Sequence, residues 1–531
     1  MNSALLLVVL LCATVAAAIL AKRINVPYPI AFVIGGILLA FVPHLPVPRI
    51  DPNLIFLLVL PPLLHAGGWS TDLQELKRNI RPVALLAIGL VLFSTVVTAF
   101  IAHALIGLDW AMAYVLGAIV SPPDAVAAEA TFERMAVPRR IVAVLTGEGL
   151  LNDATALLLY RYAVIAAVAG SFSLVTALLS FPLVTIGGVL IGLLAGFVIE
   201  SVLRLLMRGN LEDPTIGNVI VLIAPYASYL PADALGASGV LAVVTTGIYL
   251  NQRANRFMSS EGRVVGLAVW NMMIFLLNAL VFLLIGLELP LIVSSLGSSF
   301  TRFVIDAVII SVAVILIRIV WVFPSAWLPR LLIKRVRDRD PLPSWRVIGV
   351  IAWSGMRGIV SLAAALALPY TDAAHHPLSG RAEIIFITLC VIVVTLVFQG
   401  LSLGPIISWL GVGETAHPQR HETQLRIRAL EAGVQRLRDL EDTFHTAAEW
   451  EVAGRVLSEY ETRIEHLRGH LKEEDAEHDE RFANEADHRL QQEALEAERH
   501  EIARLRMSGE IPDDIFRSIA YDLDLAELRL R

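Results

Sequence analysis

The chain has 531 residues, of which 56% are hydrophobic and 17% are charged, with a net charge of −7. Its mean hydropathy is +0.68. This composition excludes a soluble globular protein and indicates a helical protein with many membrane spans. Cys12 and Cys390 both lie in apolar runs, so neither a disulfide framework nor a metal cluster is expected. No cofactor and no nucleic-acid partner is expected.

The charges are unevenly distributed along the chain. Residues 1–413 carry 25 Lys and Arg against 20 Asp and Glu, whereas residues 414–531 carry 17 against 29. We therefore predict a transmembrane domain over 1–413 and an acidic, helical cytoplasmic tail over 414–531. The tail has apolar residues at spacings of three and four, which is typical of amphipathic helices. Its eight histidines are either ordinary surface residues or part of a pH-sensing element.

Hydrophobic runs of spanning length recur thirteen times before the tail. They lie near 3–21, 27–43, 51–67, 82–106, 110–130, 137–168, 174–205, 215–230, 236–250, 264–292, 302–329, 345–371 and 382–411. With the N-terminus outside, the predicted cytoplasmic connections contain 19 Lys and Arg, against three in the outer connections. The sequence thus predicts an all-α polytopic protein of about thirteen helices in the cell (inner) membrane, with a cytoplasmic C-terminus.

The fifth predicted span contains an acidic residue directly after two prolines. Pro122 and Pro123 cannot donate backbone hydrogen bonds, so the helix should be interrupted before Asp124. Non-helical backbone at membrane depth is tolerated only where it is buried in protein or lines a watery cavity. Because freed carbonyls and a carboxylate together suit a cation, Asp124 is a candidate ion-site residue.

The next predicted span carries three polar residues within the sequence GEGLLND. Asn152 lies one helical turn after Glu148, and Asp153 is about 100° further round the helix. This spacing lets Asp153 face a cavity while Glu148 faces another helix. Carboxylates at bilayer depth are costly, so they indicate a functional site. A purely structural, hydrogen-bonding role for any one of them is the alternative.

A second interruption is predicted far downstream, at the sequence WSGMRG. Arg357 and two glycines lie there inside an apolar span, and an arginine at that depth needs a carboxylate partner. Glu148 is the most plausible partner, so a structural ion pair between Glu148 and Arg357 is predicted. Arg161 and Arg318 are interpreted as helix-end or scaffold residues, and Asn278 as an interhelical hydrogen-bonding residue. Broken helices in corresponding halves of a chain are typical of secondary transporters with inverted repeats.

Four motifs together resemble the NhaP-type branch of the monovalent cation/proton antiporters, the sodium/proton exchangers. They are GEGLLND at 147–153, SPPDAV at 121–126, LPPLL at 60–64 and GMRG at 355–358. The resemblance implies thirteen helices with inverted repeats, two crossed broken helices, a scaffold with an ion-carrying core, and a homodimer. It also implies that Asp153 exchanges Na⁺ and H⁺, that Asp124 supports the site through Asn152, and that Glu148 pairs with Arg357.

Two positions depart from the pattern of that family. Gly149 stands where many members have Ser or Thr, and Ala66 stands where several have an acidic residue. Both positions would supply auxiliary cation ligands, so their absence bears on selectivity and affinity.

The sequence therefore predicts a secondary antiporter, and not an enzyme, that exchanges Na⁺ or Li⁺ for H⁺ in an electroneutral 1:1 ratio by alternating access around Asp153. Proton and cation would compete for one carboxylate, because desolvation favours its protonated form and a bound cation favours its ionised form. K⁺/H⁺ exchange by the same mechanism is the first alternative, and a cation channel is the second.

Overall fold

The computed structural model describes residues 3–24, 26–42, 52–124, 137–169, 174–209, 213–295, 300–332, 342–412, 417–440 and 446–473, with single residues and short runs between and after them. Every regular element in these residues is a helix, and one isolated bridge joins Thr371 and Pro377. Contacts divide the chain into two units, Met1–Gly413 and Glu414–Arg531.

The first unit is built from helices, most of which are apolar. In chain order they are α1 (Ser3–Ile24), α2 (Tyr28–Ala40), α3 (Pro52–Ser70), the short α4 (Leu73–Arg78), α5 (Ile80–Ile106, with two π-helical stretches), α6 (Trp110–Val120), α7 (Arg139–Ala169), α8 (Leu174–Arg208), α9 (Pro214–Ala234), α10 (Gly239–Arg253), α11 (Ser260–Ser295), α12 (Phe300–Leu332), α13 (Trp345–Trp353), α14 (Ile359–Leu366) and α15 (Arg381–Leu410).

Many of these helices can cross a bilayer. Among the described residues, seven are both long and apolar enough, namely α5, α7, α8, α9, α11, α12 and α15. Helices α2 and α6 are shorter apolar helices. The spanning helices carry large exposed hydrophobic side chains, such as Leu194 and Leu205 on α8 and Val320 and Leu331 on α12. This is the surface expected of helices in contact with lipid.

Helices α2 and α11 cross with their backbones in direct contact. A Cβ atom on Gly36 would lie 2.9 Å from the Cα of Gly286, and one on Gly286 would lie 2.8 Å from the Cα of Gly36. Small residues allow this approach, which gives membrane helices van der Waals contact where no hydrophobic driving force is available. Phe32 of α2 and Phe282 of α11 lie in the large buried cluster around this crossing.

Both interruptions that the sequence predicts are present. Helix α6 ends at Val120, and Ser121–Asp124 is not helical, because the two prolines remove backbone donors. Residues 354–358 separate α13 from α14. Gly355 and Gly358 within that segment allow it to leave the helical path without side-chain clashes.

The second unit contains two amphipathic helices, α16 (His417–Asp439) and α17 (Ala447–Glu473). Their apolar faces pack on each other through Ile427, Val434 and Ile464. Surface ion pairs join them at Arg438–Glu461 (2.9 Å) and Arg468–Glu431 (2.6 Å). Of the amphipathic segment predicted at 424–440, residues 424–439 lie in α16. Of the one predicted at 491–505, the described residues are helical, and residues 491–495, 499 and 503 lie outside the described residues.

The glycine crossing makes a testable prediction about stability. We expect Gly36→Ala to destabilise the protein, because the added methyl group overlaps the α11 backbone and overpacking costs about 1–3 kcal/mol. Gly35→Ala is the matched control, since a Cβ there would lie 3.5 Å from the Cβ of Ala17, an ordinary contact. The melting temperature of each detergent-solubilised variant measures the effect. Equal melting temperatures for the two variants would contradict the proposed crossing.

Candidate ion site

The two interrupted segments contact each other and satisfy each other's free backbone groups. The amide of Asp124 donates to the carbonyl of Met356 at 2.7 Å. Nε of Arg357 donates in the other direction, to the carbonyl of Val120 at 2.9 Å. A buried backbone group without a partner costs free energy comparable to a lost hydrogen bond, so each break stabilises the other.

Gly358 leaves the space that the Asp124 side chain occupies. A Cβ atom on Gly358 would overlap the Asp124 carboxylate, with the Asp124 Cβ only 2.7 Å away. Gly358 of the second break therefore leaves room for the carboxylate of Asp124 in the first break.

Helix α7 brings the predicted amide and carboxylate to the same place. The Nδ2 of Asn152 donates to the carbonyl of Pro123 at 2.8 Å, next to Asp124. Asn152 is fully buried. Asp153 is half-buried, and its carboxylate is close enough to that of Asp124 for the two charges to repel each other. The structure thus brings Asp124, Asn152 and Asp153 together, as the sequence predicts.

Asp124 and Asp153 both line a cavity of about 90 Å³. A single water needs only about 10–15 Å³ of such space, so the cavity has room for a cation with several waters. The wall combines residues from α3, α7, α11, α14 and both breaks.

Glu148 is held by Arg318, which corrects the prediction that Arg357 is its partner. Arg318 lies within α12 and is fully buried, so it is not a helix-end residue. Its two terminal nitrogens donate to the two carboxylate oxygens of Glu148 at 2.5 and 2.9 Å, a bidentate geometry. Nε and one terminal nitrogen of Arg318 also donate to the carbonyl of Ile351, at 3.3 and 3.1 Å.

The donors of Arg357 are used by the backbone of the breaks. Besides Val120, its side chain donates to the carbonyl of Gly355, and its amide donates to Oγ1 of Thr395 at 3.0 Å. Val120 ends α6 and Gly355 lies in the second break, so both of these carbonyls are at the interruptions. Glu148 is still within electrostatic range of Arg357, but it makes its hydrogen bonds to a helix that the sequence did not associate with it.

Three uncharged polar residues also line the cavity, namely Thr146 of α7, Asn278 of α11 and Ser361 of α14. The sequence analysis singled out only Asn278 among them, and as an interhelical hydrogen-bonding residue. Their only sequence signal is a polar side chain inside an apolar span, which many structural residues share.

The bidentate pair makes a prediction that distinguishes it from a surface ion pair. Arg318→Gln leaves the buried Glu148 carboxylate without its partner, which costs about 3–5 kcal/mol. Glu148→Gln combined with Arg318→Gln removes both charges, so we expect it to be more stable than Arg318→Gln alone. Melting temperatures of the purified variants test the order.

Arg438→Gln is the control for an exposed ion pair. The pair that Arg438 forms with Glu461 is 2.9 Å long, and the two side chains are 54% and 53% exposed, so the loss should be about 0–1 kcal/mol. If Arg318→Gln were no less stable than Arg438→Gln, the assignment of the Glu148 partner would be wrong.

The chain is similar to known sodium/proton exchangers. Residues 7–409 match the family model described as "Sodium/hydrogen exchanger, transmembrane". The chain is 30% identical over 530 residues to an uncharacterized Na⁺/H⁺ exchanger of Mycobacterium tuberculosis, Rv2287, covering 99% of this chain and 95% of that protein. It is 32% identical over 451 residues to a "sodium, potassium, lithium and rubidium/H⁺ antiporter" of Bacillus subtilis, covering 83% of this chain and 66% of that protein.

The fold is similar to that of a solved antiporter. The sodium proton antiporter MjNhaP1 of Methanocaldococcus jannaschii superposes with a TM-score of 0.59 at 20% identity, covering 78% of this chain and all of that one. The family model covers most of the chain, and the exchanger relative extends along nearly its whole length. The resemblance seen in the motifs is thereby confirmed, and the chain belongs to the sodium/hydrogen exchanger family of multi-pass membrane antiporters.

Proposed function

We propose that the chain exchanges Na⁺ or Li⁺ for H⁺ across the membrane, one cation for one proton, by alternating access around Asp153. The observation that carries the proposal is that Asp153 and Asp124 line one cavity at the point where the two helix breaks meet. Asp153 is the exchanging carboxylate, Asp124 supports the site, and Asn152 links α7 to the first break through Pro123.

The charges around the breaks support a single exchanging site. Among the described residues there, Arg318 and Arg357 are two cations, and Glu148, Asp124 and Asp153 are three carboxylates. One negative charge is therefore uncompensated, and either one proton or one monovalent cation neutralises it. The bare form keeps a net charge at bilayer depth, which is costly. If only the neutral forms change their exposure from one side to the other, exchange is obligatory and electroneutral.

The arrangement in the membrane is part of the proposal. We propose about thirteen crossings over residues 1–413, divided into a scaffold and an ion-carrying core, in a homodimer in the cell membrane. The N-terminus lies outside, and the tail over 414–531 lies in the cytoplasm. The excess of Lys and Arg in alternate connections supports this orientation.

K⁺/H⁺ exchange by the same carboxylate is the second candidate. The relative from Bacillus subtilis is named for sodium, potassium, lithium and rubidium, which supports a broad cation range. A cation channel is the less favoured alternative, because two broken helices in corresponding halves favour alternating access.

The role of Asp153 can be tested directly. In proteoliposomes that contain a pH-sensitive dye, we expect Asp153→Asn to abolish cation-driven proton movement, because a neutral amide can neither release a proton nor supply charge to a cation. Asp233→Asn is the control, since Asp233 is an exposed carboxylate at the end of α9 and lies outside the cavity. Full exchange by the Asp153→Asn protein would sink the assignment.

The same liposomes test selectivity and electroneutrality. We expect Na⁺ and Li⁺ to drive proton movement at a rate that an imposed membrane potential does not change, because one charge moves each way. A larger response to K⁺ than to Na⁺ would favour the second candidate. A sustained Na⁺ current in a planar bilayer without a pH gradient would indicate a channel.

A further inference from the structure

Asn278 is the one polar residue that α3 and α11 contribute to the described wall of the cavity. From α3 the lining residues are Leu60, Leu63, Leu64 and Gly67, which have no polar side-chain atom. From α11 the lining residue is Asn278, which is half-buried and makes no side-chain hydrogen bond to another described residue. An amide that faces two carboxylates across a watery cavity offers a neutral oxygen and two N–H donors.

Ser361 supplies a second polar group from α14. Its side chain is 1% exposed, and its hydroxyl oxygen has no hydrogen-bond partner among the described residues. Leaving a buried hydroxyl unpaired costs about 1–3 kcal/mol. Because Ser361 lines the same cavity as Asp153, an occupant of that cavity can satisfy it.

Asn278 and Ser361 share the cavity wall with one further neutral hydroxyl group, that of Thr146 on α7. Gly149 also lines the cavity and has no side-chain oxygen. Alkali cations are hard ions that take oxygen ligands, and one carboxylate cannot replace their hydration shell. Further oxygens must come from water or from neighbouring side chains.

We propose that Asn278 and Ser361 are auxiliary ligands of the transported cation. The proposal rests on Asp153 being the exchanging carboxylate. Asp153 supplies the charge and holds either the proton or the cation. Asn278 and Ser361 are neutral, so they contribute to cation affinity and selectivity without taking part in proton binding.

This division of roles predicts a specific kinetic result. Removing a neutral cation ligand weakens cation binding, whereas the carboxylate that binds the proton is unchanged. The KM for the cation should therefore rise while the maximal rate is retained. Because the proton then competes more effectively, exchange at a fixed, subsaturating cation concentration should require a higher pH.

The experiment measures cation-driven exchange in proteoliposomes with Asn278→Ala and Ser361→Ala, over a range of Na⁺, Li⁺ and K⁺ concentrations and at several pH values. We expect each variant to raise the KM roughly three- to tenfold, the range given by the loss of one polar interaction. The ratio of the Na⁺ and K⁺ values of KM should change. Ser361→Thr, which keeps the hydroxyl, should restore the wild-type KM.

Matched controls are available for both residues. Ser94 of α5 is also fully buried with an unpartnered hydroxyl among the described residues, but it does not line the cavity, so Ser94→Ala should leave the KM unchanged. Asn271 lies on α11 but is exposed, and Asn271→Ala serves the same purpose for Asn278. Elution profiles and melting temperatures confirm that each variant is folded.

The outcomes separate this inference from the proposed function. If wild type exchanges cations and Asp153→Asn does not, but Asn278→Ala and Ser361→Ala behave like their controls, only the auxiliary ligands are wrong. A fall in maximal rate at unchanged KM would indicate a structural role and would also overturn the inference. If either alanine variant does not fold, Asn278→Asp or Ser361→Cys is used in its place, and the rise in its melting temperature on addition of Na⁺ is measured. A rise equal to that of wild type would count against the proposal. Exchange that persists in Asp153→Asn would refute the proposed function itself.

Discussion

Two helices stop in the middle of an apolar protein, and the backbone groups that they release need partners there. The amide of Asp124 and the carbonyl of Met356 bond to each other, and Arg357 bonds to the carbonyl of Val120. At the end of α13, next to the second break, Nε2 of Gln399 donates to the carbonyl of Trp353 at 3.0 Å. The site can exist only because this set of bonds replaces water.

The buried charges follow from the same requirement. Arg318 neutralises Glu148 and also bonds to the carbonyl of Ile351, so one guanidinium connects α7, α12 and α13. Arg357 connects the two breaks instead of forming the expected ion pair. The carboxylates that line the cavity are Asp124 and Asp153, and a carboxylate can bind either a proton or a cation.

Local chemistry decides which of these features could be predicted from sequence. Pro122 and Pro123 favour a helix break because they lack amide donors, and acidic residues in apolar spans indicate a site without knowledge of its neighbours. A proline pair alone does not decide the break, since Pro61 and Pro62 lie inside the continuous helix α3. The partner of Glu148 depends on which helix crosses α7 and at what height, and no local pattern encodes that crossing. Asn278 and Ser361 are ordinary polar residues in sequence. Only their position on a shared cavity distinguishes them from residues such as Ser94, which is equally buried but lies elsewhere.

The backbone contact between Gly36 and Gly286 also determines the position of the cavity wall. Asn278 lies eight residues before Gly286 on α11, a distance of about 12 Å along the helix axis. Because the two helices cannot slide past each other at that contact, α2 fixes the height of the Asn278 amide relative to Asp153. No described lining residue belongs to α2. Sequence changes in α2 that widen the crossing would therefore alter the cation preference of a site that α2 does not touch.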